Sequence, residues 1–216
     1  MILQSINFLA ALLLLIAFAM LAQRRLYALI NLFAAQGLVL SLSTFIVAYT
    51  TARHHLYFSA ALTFILKVML LPVVLRRLIQ RLAIAGENKT LLSIPLTTLL
   101  GILLVIFSFN LALPVSQMAG TVLRSTFGIA VASVLLAFLM MVTRNQAISQ
   151  LIAFLAMENA LFFAATSVTY GMPMVVELGI ALDVLVGVFI FGIFLFQLRA
   201  SPEQLDLSHL EKVKEE

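Results

Sequence analysis

The sequence contains no cysteine, and its three histidines are scattered along 216 residues. A chain without cysteine forms no disulfide, carries no thiolate nucleophile and provides no cysteine ligand to an iron–sulfur cluster. The histidines do not have the spacing of a metal site. We therefore expect no cofactor, metal or catalytic site in this chain, and any redox chemistry is expected to belong to a partner.

Charged residues are also scarce. They occupy 10% of the positions, whereas hydrophobic residues occupy 63% and the mean hydropathy is +1.16. These values lie well outside the range of soluble domains. The long apolar runs lack strict alternation, which favours membrane helices over a β-barrel. The sequence therefore predicts an all-α, polytopic protein of the lipid bilayer.

Seven membrane spans are predicted, because windows of about 20 apolar residues recur along almost the whole chain. The first apolar stretch has no small-residue cleavage site and is interpreted as an uncleaved helix rather than a signal peptide. Residues 198–216 are more polar and are expected to form a cytoplasmic tail, either amphipathic and helical or disordered. The predicted spans are 2–22, 26–49, 56–78, 91–111, 122–142, 147–170 and 173–197.

The basic residues indicate the orientation of these spans. The isoelectric point is about 9.8, but the cations lie between apolar segments, so they indicate topology rather than nucleic-acid binding. With the N-terminus outside, only Arg53 and Arg124 of the 13 basic residues fall on the outer side, and Lys67 lies within a span. The positive-inside rule thus predicts an N-out, C-in protein, which requires an odd number of spans.

Three ionisable residues fall inside predicted spans at a similar depth: Lys67, Glu158 and Asp183. Each is about ten residues from a helix end, or about 15 Å at 1.5 Å per residue. A charge near the bilayer centre costs roughly 2.5–3.5 kcal/mol on insertion scales, so such residues pair or face water. They are candidates for a proton pathway. The alternative is a fixed ion pair of Lys67 with one acid that locks two helices together.

Two further patterns surround these residues. Gly179, Asp183 and Gly187 are spaced four residues apart, so the two glycines flank the aspartate on one face of the predicted helix. Because glycine has no side chain, either a neighbouring helix or water can approach the aspartate there. Pro72 follows Lys67 by five residues and is predicted to kink the third span. Four polar residues lie within or near the spans, and most of them are expected to form interhelical hydrogen bonds: Asn31, Gln36, Asn110 and Gln150.

Three other titratable residues are weaker candidates for the pathway. Glu177 lies near the start of the last predicted span, where it is either an exit group or merely interfacial. His54 and His55 lie at the outer ends of the second and third spans. These histidines are expected to lie in a solvated loop. The alternative is that they accept protons at the outer surface.

Three segments together resemble a known family: ALTFILKVMLLPVVL, RNQAISQLIAFLAMEN and VVELGIALDVLVGVFI. They resemble component E of hydrogenase-4-type membrane-bound nickel–iron hydrogenases, and the likeness covers nearly the whole chain. The resemblance implies a membrane-arm subunit of a complex I-related complex in the inner cell membrane. It also implies antiporter-like, quinone-channel-like and hydrogenase partner subunits, with the Ni–Fe centre and the Fe–S clusters in those partners.

The last three spans, over 122–197, also resemble the K subunit of respiratory complex I and the C subunit of multi-subunit cation/proton antiporters. This divides the chain into N-terminal helices over 1–142, the K-like unit and the tail. In that family two midmembrane glutamates on consecutive helices carry protons. The resemblance implies this role for Glu158 and Asp183, although the second acid is an aspartate here, with Lys67 as a charge partner or third station.

Two other functions are compatible with the sequence. The chain could be a structural linker whose charged residues hold antiporter-like subunits together. It could instead be a stand-alone secondary transporter, although no internal repeat symmetry and no polar substrate pocket is evident in the sequence.

Overall fold

The computed structural model describes residues 2–51, 54–81, 91–118 and 121–169, together with Gly179 and Gly187. Helices dominate this part of the chain, and no β-strand occurs among the described residues. The two glycines are helical as well. The elements are α1 (Ile2–Ala22), α2 (Leu26–Thr51), α3 (His54–Thr63), a π segment (Phe64–Leu70), α4 (Leu71–Arg81), α5 (Ile94–Met118), α6 (Thr121–Thr143) and α7 (Ala147–Thr169).

Six stretches of the described residues are long and apolar enough to cross a membrane, which confirms the predicted all-α, multi-pass class. The third stretch joins α3, the π segment and α4 into one span. The seventh predicted span, 173–197, lies outside the described residues except for Gly179 and Gly187, so the count of seven and the orientation stay predictions. The six stretches are Gln4–Ala22, Leu26–Thr50, Leu56–Gln80, Ile94–Leu113, Thr126–Thr143 and Ala147–Thr166.

The third span departs from a regular α-helix around Lys67. At the end of the π segment, the N–H of Leu71 donates to the carbonyl of Leu66, five residues earlier. Pro72 has no N–H and could not make the α-helical bond to the carbonyl of Val68. The prediction from Pro72 was a kink, and the structure has a π-helical stretch that contains Lys67. Such stretches are rare and are frequent at functional sites.

Helix α2 contacts more of the described elements than any other helix. It packs against α1, α3, the π segment, α4 and α7. Its side chains Ile30, Phe33 and Leu40 are fully buried in these contacts. Helix α7 is the most enclosed of the six spans, with 61% of its residues buried against 22% for α5. The centre of the membrane domain therefore lies around α2 and α7.

The chain separates into two compact units, Met1–Ala181 and Leu182–Glu216. Only Gly187 of the second unit is among the described residues. The predicted cytoplasmic tail, 198–216, lies wholly outside them.

Candidate ion-pair site within the membrane

Lys67 lies in the π segment and is 1% exposed. Helix α2 approaches its backbone closely at Gly37. A β-carbon added to Gly37 would lie 3.0 Å from Cβ of Lys67 and 3.5 Å from its carbonyl carbon and oxygen. The 3.0 Å approach to Cβ of Lys67 is tighter than ordinary van der Waals contact, so the absence of a side chain at position 37 permits α2 and the π segment to pack as they do.

Glu158 lies in the middle of α7 and is 4% exposed. Its Oε1 accepts a hydrogen bond from Nζ of Lys67 at 3.3 Å. This contact joins α7 to the third span. Because removing two charges from water is expensive, a buried pair of this kind persists only when the partners compensate each other. The structure thus brings together two of the three residues predicted at the same depth.

Two buried amides link α2 to α7 next to this pair. Nδ2 of Asn159 donates to Oε1 of Gln36 at 3.3 Å, and Nε2 of Gln36 donates to the carbonyl of Ala156 at 3.4 Å. Both amide side chains are fully buried. Gln36 therefore forms the predicted interhelical hydrogen bond, as does Asn31, which accepts from Arg76 of α4. Asn110 instead donates to the carbonyl of Ile106 in its own helix, and Gln150 donates to the nearby carbonyl of Arg144. Oδ1 of Asn159 is buried and receives no hydrogen bond from the described residues.

Phe162 follows Glu158 by one helical turn and completes the surroundings of the lysine. Its ring centroid lies 5.9 Å from Nζ of Lys67, at the outer range of a cation–π contact. Gly179 packs directly against this ring and leaves no room for a β-carbon. Gly179 thus contacts α7 beside the ion pair.

Four other residues were predicted to belong to the site. Asp183 and Glu177 lie outside the described residues. His54 and His55 are the first two residues of α3, and their side chains also lie outside the described part.

Sequence reasoning missed the structural role of Arg144. Its guanidinium is 1% exposed, and Nη2 donates to the carbonyls of Met20, Leu21 and Gln23 at 3.1, 3.0 and 2.6 Å. It therefore satisfies carbonyl groups left open at the end of α1. Burial, and then the positive charge of Arg24, lower the pKa of Arg144 to about 10, so it remains protonated at neutral pH.

Comparison with known proteins supports a family relationship. No protein-family model and no solved structure matches the chain. It is 29% identical over 194 residues to the uncharacterized protein Rv0085 of Mycobacterium tuberculosis, covering 89% of this chain and 88% of the relative. It is 25% identical over 182 residues to hydrogenase-4 component E of Escherichia coli K12, covering 84% of each. The chain is therefore a multi-pass membrane protein and a distant homologue of hydrogenase-4 component E.

Proposed function

We propose that this chain is a membrane subunit of a hydrogenase-4-like, complex I-related complex, and that Lys67 and Glu158 belong to a proton pathway across its membrane arm. The observation that carries the proposal is the buried contact between Nζ of Lys67 and Oε1 of Glu158. The name of its distant homologue supports the assignment to a hydrogenase complex. In this proposal the complex lies in the inner membrane, and its antiporter-like, quinone-channel-like and hydrogenase subunits are the partners.

The geometry suits proton transfer because the two groups are within hydrogen-bond reach. Movement of a proton from Nζ of Lys67 to Oε1 of Glu158 breaks an N–H bond, forms an O–H bond and neutralises both side chains. The reverse movement restores the ion pair. Neither state leaves a single unpaired charge in the membrane interior, where such a charge is most costly. Ni–Fe and Fe–S chemistry would remain in the partner subunits.

Asp183 is the next proposed station. The resemblance of its predicted span to the K subunit, in which acids on two consecutive helices carry protons, supports this role. Asp183 would receive protons from the pair and pass them towards neighbouring subunits. Glu177 would be an exit group at the surface.

The experiment that tests the proposal is Glu158→Gln in the intact complex. The amide keeps the size of the side chain and one oxygen that can accept from Nζ of Lys67, but it does not titrate at neutral pH. We expect the complex to assemble and hydrogenase-linked proton translocation to be lost, as measured in closed vesicles. Glu203→Gln, in the predicted cytoplasmic tail, is the matched control and should translocate normally. Full translocation by Glu158→Gln would overturn the proposal.

A structural linker is the competing function, because a direct ion pair also holds two helices together. The double variant Lys67→Met with Glu158→Gln distinguishes the linker function from the pathway function. It leaves no buried charge unpaired, so it should assemble better than Lys67→Met alone. Under the linker function the double variant would also regain proton translocation, whereas under the pathway function it assembles and does not translocate.

A further inference from the structure

Most of the buried hydroxyl groups that the structure describes on α2, α3 and α7 lie on one side of the ion pair. This side, here called the turn side, extends from the level of Lys67 and Glu158 to the turn between α2 and α3 and to the end of α7. Its buried side chains on these helices include several serines and threonines, contributed by α2, α3 and α7. They are Ser41, Ser43, Thr44, Ser59, Thr63 and Thr166.

The opposite side of the pair is apolar inside. Along α2, α4 and α7 between the pair and the opposite membrane face, Ser149 is the only polar side chain among the buried described residues. The others are aliphatic, apart from one phenylalanine. They are Leu26, Leu29, Ile30, Phe33, Leu71, Pro72, Leu75, Leu78, Ile79, Ile148, Ile152, Ala153, Leu155 and Ala156.

We propose that the turn-side hydroxyls line a hydrated half-path, which connects the Lys67–Glu158 pair with the membrane face that carries the α2–α3 turn. This inference rests on the proposed function and specifies the route and the carrier, a chain of water molecules that conducts protons. The apolar side would block a continuous water column through this chain. Protons that reach the pair would then leave sideways, towards the neighbouring subunits, rather than straight across.

Two buried oxygen atoms along this route receive no hydrogen bond from the described residues: Oγ of Ser59 and Oδ1 of Asn159. Buried polar atoms are nearly always satisfied by protein or by ordered water. Asn159 lies at the level of the pair, and Ser59 precedes Lys67 by eight residues, or about 12 Å along a helix. Thr63 lies midway between Ser59 and Lys67. The unsatisfied oxygens thus mark two positions on the turn side where protein groups alone do not complete the hydrogen bonding.

The other hydroxyls can also bind water. Oγ of Ser43 and Oγ1 of Thr44 both donate to the carbonyl of Leu40, at 2.7 and 2.9 Å, and Oγ1 of Thr166 donates to that of Phe162 at 2.9 Å. A hydroxyl that donates to its own helix keeps lone pairs that accept hydrogen bonds. These groups can therefore receive a hydrogen bond from water in the half-path while the helices stay intact.

The natural absence of cysteine allows a direct test of water access. Single-cysteine variants of the full chain, Ser59→Cys and Thr63→Cys, would be exposed to silver ions in closed membrane vesicles of each orientation. The tagged chain is then isolated and denatured, and its remaining free thiol is counted with a maleimide. Two matched controls are Ser133→Cys, buried on α6, and Leu75→Cys, buried on the apolar side of the pair.

We expect silver to reach Ser59→Cys and Thr63→Cys at least about ten-fold faster from the turn side than it reaches either control, because an ion does not cross an apolar interior. Thr63→Cys keeps the test valid if Ser59→Cys fails to fold. Reaction rates equal to those of the controls, or entry only from the opposite face, would overturn the half-path.

The reaction with silver does not depend on proton translocation. The hydrated half-path and the proton pathway through Glu158 are therefore tested separately. If silver reaches Ser59→Cys while Glu158→Gln translocates normally, the half-path is supported and the proton pathway through Glu158 is wrong. If Glu158→Gln loses translocation while both cysteines stay inaccessible, the pathway is supported and the hydrated route is wrong.

Discussion

At the scale of single residues, the sequence predicted that Lys67 lies inside the membrane but did not predict the burial of Arg144. Lys67 was conspicuous because it interrupts an apolar run, and the structure pairs it with Glu158. Arg144 lies between two spans, where a cation is the ordinary topology signal. Its three contacts with the end of α1 depend on which helices are neighbours. A single sequence does not contain that information, so the role of Arg144 could not be predicted.

Arg144→Met is expected to destabilise the protein. The substitution removes three hydrogen bonds to carbonyls and leaves those groups in a poorly hydrated place, at a cost of about 1–3 kcal/mol. The effect should appear as a lower unfolding temperature of the purified chain in detergent. Arg77→Met is the control, because Arg77 is exposed on α4. Equal unfolding temperatures for the two variants would show that Arg144 does not hold α1.

At the scale of helices, the apolar runs were sufficient to find the elements. Six predicted spans agree with the six observed ones to within a few residues, because length and hydropathy alone determine what crosses a bilayer. The hydrogen-bond register inside a span was not predictable. Pro72 indicated an irregular third span, but whether a helix kinks or widens into a π segment depends on its packing, here against α2 at Gly37.

Pro72→Ala tests the function of this irregularity. Alanine supplies the missing N–H and allows α-helical bonding to continue through residue 72, which would rotate Lys67 away from Glu158. We expect proton translocation by the complex to fall on the order of ten-fold, since small misplacements of reacting groups have effects of this size or larger. Assembly should be retained.

Pro95→Ala is a closely matched control for this substitution. Pro95 is the second residue of α5, as Pro72 is the second residue of α4, but it is exposed and distant in sequence from the ion pair. It should translocate normally. If Pro72→Ala also translocates normally, the π segment is not required to position Lys67.

At the scale of the whole molecule, the contacts gather the cations of separate loops at one end. Arg144 of the α6–α7 turn binds the end of α1, next to Arg24 and Arg25. Arg76 of α4 donates to Oδ1 of Asn31 near the start of α2. Counting spans in the sequence placed these residues on one side of the membrane. The structure shows that Arg144 contacts the end of α1 and that Arg76 contacts the start of α2. The α2–α3 turn lies at the far end of α2, where the proposed half-path would open.

The orientation of the protein then decides which compartment supplies or receives protons. The positive-inside rule predicts that the end with Arg24, Arg76 and Arg144 is cytoplasmic. In the cysteine-free chain, Asn145→Cys in the α6–α7 turn should therefore react with a membrane-impermeant maleimide only in inside-out vesicles. Ala52→Cys, in the α2–α3 turn, should react in intact right-side-out preparations. The reverse pattern would contradict the N-out prediction, and the half-path would then open to the cytoplasm instead of to the outside.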